Sequence, residues 1–447
     1  MTHQAFRYAL DVNDRQRGLL ASHAGAARYA WNWGLRRIVD TMAAHRAGEA
    51  TTCLPSAMSL HRDWNSWKKS EAGIAWWTEV SKCAPQEAFR DLEAAMRAFW
   101  DSRGGRRAGP RVHFPRFKKK GRTRDRFRLT GAIHVETGHV RLPRLGRLRL
   151  HEAAKPLLDR LQGGSGHITA ATVSREADRW YVSLAVEVDR TVPVSNGYRD
   201  TVGVDLGVLA LATLSTGEVV AGPRALRAGL RRLRRLSRRH SRCQKGSANR
   251  RRVTRRLARH HARVAAVRRD HLHKLTTMLA KSHGRIVVED LNVRGMLGNR
   301  QLARSLSDAG FGELRRMLDY KCRWYGAQLV VASRWFPSSK ACSACGAIRT
   351  DLSLGERSFR CPGCGLVLDR DLNAAINLAG WAHPAVAASA SETENACPRG
   401  GQTAPGAARP DDAGTEPQRA SSPGPRKTWT LHKGVMPKGG EVHGKET

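Results

Sequence analysis

Two pairs of cysteines have the spacing of metal ligands. Cys342 and Cys345 are separated by two residues, fifteen residues follow, and Cys361 and Cys364 repeat the spacing. Two intervening residues let both sulfurs of a pair reach one ion. Four thiolates in tetrahedral geometry select zinc and leave no coordination position open, so the pattern predicts one structural Zn²⁺. A reactive dithiol is the alternative interpretation.

Three carboxylates stand at the ends of predicted secondary-structure elements. Asp205 and Glu289 each follow a short run of apolar residues typical of a buried strand, and Asp371 precedes a helix predicted to start at Leu372. Buried acids in such positions are costly unless they are paired or bound to metal. Ion pairing with nearby arginines is one alternative for each acid. For Asp371 a second alternative is a helix N-cap.

The order of the predicted elements indicates that these three acids lie close together in the folded protein. A strand ending in Asp205 is followed by a hairpin, long helices, a strand ending in Glu289, another strand, and a helix near Asp371. This is the element order of an RNase H-like α/β domain, in which central strand ends and a facing helix converge. Three hard oxygen ligands at one spot suit Mg²⁺. Two such ions about 4 Å apart activate a water and stabilise the leaving oxygen of a phosphodiester.

The charge balance predicts a polyanionic partner. The 447 residues include 78 Lys and Arg against 39 Asp and Glu, which gives a formal net charge of +39. No acid occurs between Glu218 and Asp270, where two arginine-rich helices are predicted on either side of a turn at 244–249. Like charges at i,i+4 oppose helix formation, so a bound polyanion explains this stretch better than a solvated face does. Nucleic acid is the commonest such partner, and a small-molecule substrate is not expected.

Targeting signals are missing from the sequence. No run of eighteen apolar residues occurs, so no membrane span is predicted. The first residues lack a basic region followed by an apolar one, which argues against secretion and for a reducing, cytoplasmic, nucleoid-associated location in a bacterium. The last stretch, 382–447, is rich in Ala, Gly, Pro, Ser and Thr and is predicted to be disordered.

Residues 13–102 have helical periodicity. Either Asn13 or Asp14 is placed to cap the first helix, and another helix is predicted over 85–100. Four tryptophans lie between the two helices and are interpreted as core, with base stacking as the alternative: Trp64, Trp67, Trp76 and Trp77.

Residues 103–195 predict a small β domain, because short alternating runs follow one another there. Its loop 111–128 interleaves arginine and lysine with phenylalanine. Cations that seek phosphate and rings that stack on bases are expected on a nucleic-acid surface. A solvated basic loop is the alternative.

Several motifs together resemble the TnpB/OrfB family of transposon-encoded proteins, to which type V CRISPR effector nucleases are similar. The motifs are GVDLG, VVEDLNVRGM, SSKACSACG, FRCPGCG and DRDLNAAINLA, and the resemblance extends over roughly residues 5–380. It implies a RuvC-like nuclease domain with an inserted zinc ribbon, and an N-terminal β-barrel, or wedge, with an inserted helical recognition lobe. The implied bounds are wedge 1–12 and 103–198, recognition lobe 13–102, nuclease 199–335 and 368–381, and zinc ribbon 336–367.

The resemblance also implies an activity. Family members cleave DNA next to a short adjacent motif, and a guide RNA from the transposon end pairs with the double-stranded target. Asp205, Glu289 and Asp371 match the family's Mg²⁺-binding catalytic acids, and the four cysteines match its zinc ligands. Asp290 and Asp369 lie beside catalytic positions. A monomer bound to RNA is expected.

Eleven cations are predicted to contact nucleic acid. They are Arg116, Lys118, Lys119, Lys120, Arg231, Arg235, Arg238, Lys245, Arg250, Arg251 and Arg370. For Arg370 two roles are open, because it could contact a substrate phosphate or stabilise the three acids. Two alternative functions stay open at this point. One is a guided DNA-binding regulator that does not cleave, and the other is a transposase acting on the ends of its own element.

Overall fold

The structure is a computed structural model that describes residues 2–49, 53–70, 75–190, 200–353 and 355–381. The segment predicted to be disordered, 382–447, lies outside the described residues. Within them, no helix has both the length and the apolar character needed to cross a membrane.

The first sheet has seven antiparallel strands in the order β2-β6-β7-β1-β5-β4-β3. Its strands are β1 (Thr2–Asp11), β2 (Arg126–Leu129), β3 (His134–Glu136), β4 (His139–Leu142), β5 (Gly146–Leu150), β6 (Gly166–Glu176) and β7 (Arg179–Val188). β1 is central, because Thr2 pairs with Val188 of β7 while Leu10 pairs with Leu150 of β5. The predicted β domain therefore includes the first residues of the chain.

A helical segment is inserted between β1 and β2. It contains α1 (Asp14–Arg46), α2 (Ala57–Trp67), a 3-10 helix (Ala75–Glu79) and α3 (Cys83–Arg103), and α4 (Lys155–Gln162) follows later. Of the two predicted caps, Asn13 is the one used. Its Oδ1 accepts from the Gln16 backbone N–H at 2.9 Å, and the Gln16 side chain accepts from the Asn13 N–H at 3.2 Å, a capping box. The helix predicted over 85–100 is longer than expected and spans Cys83–Arg103.

The tryptophan-rich piece packs as core around Trp64, which is 2% exposed. Its ring lies 4.9 Å from that of Trp67 and 5.4 Å from that of Trp33, centroid to centroid. Phe89 of α3 contacts the same ring at 5.9 Å. Such tilted and edge-to-face arrangements are favourable for buried aromatics, so the core interpretation is confirmed for Trp64.

The second sheet has five strands in the order β10-β9-β8-β11-β12. They are β8 (Thr201–Asp205), β9 (Ala212–Leu214), β10 (Val219–Val220), β11 (Arg285–Glu289) and β12 (Gln328–Ala332). β8, β11 and β12 run parallel, whereas β9 and β10 are antiparallel to their neighbours. The three middle residues of β8 and of β11 are buried, as expected for strands covered on both faces.

Helices cover the second sheet and connect its parallel strands. They are α5 (Ala225–Arg242), α6 (Ala248–Ser282), α7 (Val293–Met296), α8 (Ala303–Ala309), α9 (Phe311–Tyr325) and α10 (Arg370–Gly380). α7 to α9 supply the crossover that the parallel pair β11 and β12 requires. A two-stranded hairpin, β13 (Ser358–Arg360) and β14 (Val367–Asp369), precedes α10. The predicted order of strand, hairpin, long helices, strand, strand and helix is observed.

Candidate active site and zinc site

Asp205 and Glu289 are the last residues of β8 and β11, and they lie at the same edge of the second sheet. The parallel register places Val204 of β8 opposite Val288 of β11. The next residue in each strand is the acid, so the two carboxylates end neighbouring strands side by side. In both strands a run of three buried residues comes directly before the acid, and this common pattern places the two acids at matching positions.

Helix α10 brings Asp371 to the face on which Asp205 lies. A Cβ added to Gly203 would stand 1.9 Å from the carbonyl oxygen of Ala375, so the helix lies directly against β8. Gly203 and Asp205 are two apart on a strand and therefore share a face. Asp371 and Ala375 are four apart on a helix and share a side. The contact at Gly203 consequently brings Asp371 toward Asp205.

The electrostatics of Asp205 shows that the three acids interact. Burial, together with the negative charges of Glu289 and Asp371, raises the pKa of the Asp205 carboxyl to about 7. The Arg370 guanidinium opposes this shift. Asp205 is half-buried, as are Glu289 and Asp371. Three neighbouring carboxylates attract a cation, and hard oxygen donors suit Mg²⁺, so the residues present fit that ion.

The carboxylates are neighbours without forming a closed cluster. In the part of the chain that the structure describes, the four cysteines are the only group of three or more His, Cys, Asp or Glu side chains whose ligand atoms all lie within 4.8 Å of one another. Glu289 is held by a buried serine, whose hydroxyl donates to its Oε1: Ser338 Oγ lies 2.5 Å away. Asp371 Oδ1 lies 3.6 Å from Arg370 Nε and 3.9 Å from Arg357 Nη1.

The start of α10 differs from the sequence prediction. The helix begins at Arg370, and its N-cap is Asp369, whose Oδ1 accepts from the backbone N–H groups of Asp371 at 2.9 Å and Leu372 at 3.0 Å. The predicted start at Leu372 was therefore wrong, and so was the alternative of Asp371 as N-cap. Because Asp369 takes the cap, the Asp371 carboxylate stays available to the site.

Two further predicted neighbours have structural partners. Asp290 accepts from Arg315 at 2.6 Å and from Arg334 at 2.7 Å, and these bonds lower the pKa of its carboxyl, the one from Arg315 most. The Arg370 side chain is 13% exposed and donates to the Ser353 carbonyl at 3.3 Å as well as facing Asp371. Its side chain therefore lies beside Asp371, and both roles predicted for it stay predictions.

The four cysteines form a site that fits one zinc ion. The Sγ atoms of Cys342 and Cys364 are 3.7 Å apart, and those of Cys345 and Cys361 are 3.5 Å apart. Tetrahedral Zn–S bonds of about 2.3 Å require sulfur–sulfur distances of about 3.8 Å. The backbone N–H groups of Gly363 and Cys364 donate to Cys361 Sγ at 3.3 and 3.4 Å, and such hydrogen bonds favour the thiolate that binds metal.

Two asparagines of α10 form hydrogen bonds with the backbone of the segment 338–343, which contains the first cysteine. Asn373 is fully buried, donates to the Ala341 carbonyl at 2.7 Å and accepts from the Ser343 N–H at 3.0 Å. Asn377 donates to the carbonyls of Ser338 and Ala341, each at 2.7 Å. Neither asparagine nor Ser338 was assigned a role from sequence. The available signal was a polar pair at i,i+4 on an otherwise apolar helix face.

The predicted nucleic-acid cations divide into exposed and engaged side chains. Exposed ones lie on the 111–128 loop and on the α5–α6 hairpin: Arg116, Lys119, Lys120, Arg231, Arg235, Arg238, Lys245 and Arg251. Lys118 instead lies over the Trp31 ring, with Nζ 3.4 Å from the centroid, and its burial lowers the pKa of the amine to about 8. Arg250 closes the hairpin turn by donating to the carbonyls of His240 at 3.1 Å and Cys243 at 2.9 Å.

A groove between α5 and α6 adds arginines that the sequence interpretation did not single out. The helices approach closely at Gly229, whose carbonyl lies 2.9 Å from His260 Nε2. Beyond that contact the groove is lined almost wholly by guanidiniums, those of the predicted Arg235 and of five more arginines: Arg232, Arg239, Arg256, Arg259 and Arg263. Helical spacing around the hairpin, rather than the charge count alone, would have identified them.

Three family models match parts of the chain. The model described as “Probable transposase” matches residues 183–300, “Cas12f1-like, TNB domain” matches residues 311–378, and “Helix-turn-helix domain” matches residues 1–46. The described residues of the last match form β1 and the single helix α1 rather than two helices.

A protein from Mycobacterium tuberculosis (strain CDC 1551 / Oshkosh) is 43% identical over 405 residues, which cover 85% of this chain and 87% of the relative. This chain belongs to the TnpB/OrfB family. The relative is named “Putative RNA-guided DNA endonuclease”. A second TnpB/OrfB relative, “Putative RNA-guided DNA endonuclease InsQ” from Escherichia coli (strain K12), is 31% identical over 402 residues, 86% of this chain and 93% of the relative.

The fold of this TnpB/OrfB chain is similar to a solved structure named “Cryo-EM structure of the Cas12f1-sgRNA-target DNA complex”. The TM-score is 0.51, and the match covers 82% of this chain and 83% of the other. At 14% sequence identity the likeness concerns the fold alone.

Proposed function

We propose that this protein is an RNA-guided, Mg²⁺-dependent DNA endonuclease with a RuvC-like site. One observation carries the proposal: Asp205 and Glu289 end neighbouring parallel strands, and the contact of α10 with Gly203 brings Asp371 to the same face of β8. The names of the Mycobacterium and Escherichia relatives support the same activity.

The roles of the chain's own residues follow from their contacts. Asp205, Glu289 and Asp371 would hold Mg²⁺, which when bound would activate a water and stabilise the leaving oxygen of a DNA phosphodiester. Arg370, whose Nε lies 3.6 Å from Asp371 Oδ1, would balance the negative charge there. The four cysteines would hold one structural Zn²⁺.

The surface charge supports guide RNA and double-stranded DNA as partners. Base pairing would read the target next to a short adjacent motif, while the protein holds the RNA–DNA hybrid by its backbone and shape. The exposed cations of the 111–128 loop and the α5–α6 groove would neutralise phosphates. We propose a guide from the transposon end and a monomer bound to it.

The domain roles are part of the same proposal. The seven-stranded sheet would be the wedge β-barrel, and α1 to α3 would be the recognition lobe. The five-stranded sheet with α5 to α10 would be the nuclease domain, and β13–β14 with the cysteines would be the zinc ribbon.

The test begins with the RNA that copurifies with the protein. Sequencing should give one discrete species that maps to the neighbouring element end. The complex should then cut a DNA target matching that guide when Mg²⁺ is added, and RNase treatment should remove both bound nucleic acid and cleavage. Cleavage of element ends that survives RNase would instead indicate a transposase.

Substitution of the acids tests the site itself. Asp205→Asn and Glu289→Ala should abolish cleavage while guided DNA binding survives, because binding depends on pairing and on the basic surface. Asp290→Asn is the matched control, since Asp290 is bound by two arginines. Cleavage at the wild-type rate in either site variant would reject the assignment, and guided binding without Mg²⁺-dependent cleavage in the wild type would indicate a regulator.

A further inference from the structure

Ser338 connects three parts of the molecule that the proposed site requires. It lies four residues before Cys342, in the segment that leads from β12 into the zinc site. Its hydroxyl donates to Glu289 Oε1 at 2.5 Å, and its carbonyl accepts from Asn377 of α10 at 2.7 Å. A single residue therefore contacts the strand that carries Glu289 and the helix that carries Asp371.

The burial of Ser338 strengthens its hydrogen bond to Glu289. The residue is only 4% exposed, so water does not compete well for its hydroxyl. Its backbone is fixed on both sides, because its N–H donates to the Phe336 carbonyl at 2.9 Å and its carbonyl is held by Asn377. A buried hydroxyl on a fixed backbone can hold one carboxylate oxygen in one place.

The zinc site supports the same backbone from the other end. Asn373 bonds both the Ala341 carbonyl and the Ser343 N–H, which flank the first cysteine. The segment 338–343 is thus attached to α10 by two asparagines one helical turn apart. Movement of the cysteines would be transmitted along this segment to Ser338.

We propose that Ser338 is a positioning residue that fixes the Glu289 carboxylate for Mg²⁺, and that the zinc ribbon acts on the active site through it. This inference rests on the proposed nuclease function. Ser338 sets the direction of Glu289, and α10 sets the place of Ser338.

The test compares Ser338→Ala with Ser339→Ala, a control one residue away whose side chain is half-buried. The protein is used as purified with its RNA. Three quantities are measured: the cleavage rate of bound target at saturating Mg²⁺, the affinity for that target, and the Mg²⁺ concentration that gives half of the Mg²⁺-dependent rise in Tm. Asp205→Asn, carrying the same RNA, shows how much of that rise comes from Mg²⁺ bound to the RNA.

Ser338→Ala should lower the cleavage rate and raise the Mg²⁺ midpoint by roughly ten- to hundredfold, the loss expected for a hydrogen bond to a charged group. Target affinity and one zinc per chain should be retained. Ser338→Thr, which keeps the hydroxyl, should restore most of both. Asn377→Ala should shift the Mg²⁺ midpoint in the same direction by a smaller factor.

Equal rates and equal midpoints for Ser338→Ala and Ser339→Ala would overturn the inference. Loss of zinc with an unchanged Mg²⁺ midpoint would also overturn it, because that result describes a purely structural serine. A wild type that shows no Mg²⁺-dependent rise in Tm beyond that of Asp205→Asn would overturn it too. A wild type that shows the rise but never cuts guided DNA would defeat the nuclease proposal alone, and the midpoints would still decide the role of Ser338.

Discussion

The carbonyl oxygen of Ala375 occupies the position next to β8 that a side chain on Gly203 would need. A Cβ at Gly203 would lie 1.9 Å from that oxygen and 2.5 Å from the backbone nitrogen of Ala379. Both are backbone atoms and cannot turn away as a flexible side chain can. Glycine at this position is therefore what allows α10, and with it Asp371, to lie against the strand that carries Asp205.

Gly203→Ala should push α10 away from the sheet. Overpacking of a tight interior costs about 1–3 kcal/mol and sometimes more, so Tm should fall by several degrees. A displacement of about 1 Å at a reacting centre costs about a hundredfold in rate, and cleavage should fall by that order. Gly312→Ala on α9 is the control, because nothing lies within 4 Å of its added Cβ. Equal melting and cleavage in the two variants would contradict this account of α10.

Cys361→Ser should release zinc and lower the melting temperature. Structural zinc contributes about 10–16 kcal/mol in zinc-finger peptides, more than the ribbon hairpin can replace. Cleavage should fall with it, since Asn373 joins the ribbon to α10. Metal analysis and thermal melting measure the effect, with exposed Cys53→Ser as control. Retention of one zinc per chain together with an unchanged melting profile would count against the site.

Asp178→Asn should strengthen nucleic-acid binding. Asp178, in the turn between β6 and β7, forms an ion pair with Arg259 of the α5–α6 groove, and that bond lowers the pKa of the Asp178 carboxyl. Removing the acid frees the guanidinium for a phosphate, which should steepen the salt dependence of log affinity by about 0.7–0.9. Asp40→Asn, at an exposed position of α1, makes the same charge change away from this contact. Identical slopes for both variants would show that Arg259 is not freed for phosphate.

Lys119→Ala should change the salt dependence of RNA binding, whereas Lys118→Met should change the stability of the protein. Lys119 is exposed, so its loss should reduce the salt slope of RNA binding by about 0.7–0.9. Lys118 packs on Trp31, so its replacement should cost about 1–2 kcal/mol of stability and leave the slope nearly unchanged. Binding at several salt concentrations and thermal melting separate the two. If Lys118→Met lowers the slope as much as Lys119→Ala does, then Lys118 leaves Trp31 to bind phosphate.

Sequence patterns predicted well those features that depend on local order. The strands ending in Asp205 and Glu289, the arginine-rich helical hairpin and the spacing of the four cysteines each follow from neighbours along the chain. Buried apolar runs and helical periodicity report such local preferences directly. For the N-cap of α1 the sequence left Asn13 and Asp14 as candidates, and the structure shows that Asn13 is the cap, in a capping box with Gln16.

Features that depend on contacts between distant segments were not predicted. Gly203 read only as a strand residue, because the helix that excludes a side chain there comes more than 160 residues later. Ser338 and Asn377 gave no individual signal, since their roles exist only when β11, α10 and the zinc segment meet. The start of α10 was misplaced because Asp369 and Asp371 are both acceptable caps, and the choice depends on geometry.

The central position of β1 has a consequence for the order in which the chain becomes native. Thr2 pairs with Val188, so β1 must wait until β7 has been made before the two strands can pair. At about 5–20 residues per second that delay is roughly ten to forty seconds, during which an edge capable of pairing stays unsatisfied. The helices α1 to α3 contact one another and are made before β7, so they can form meanwhile. A nascent chain stalled before Val188 would therefore expose β1 to other chains, and we expect ribosome-bound chaperones to engage it there.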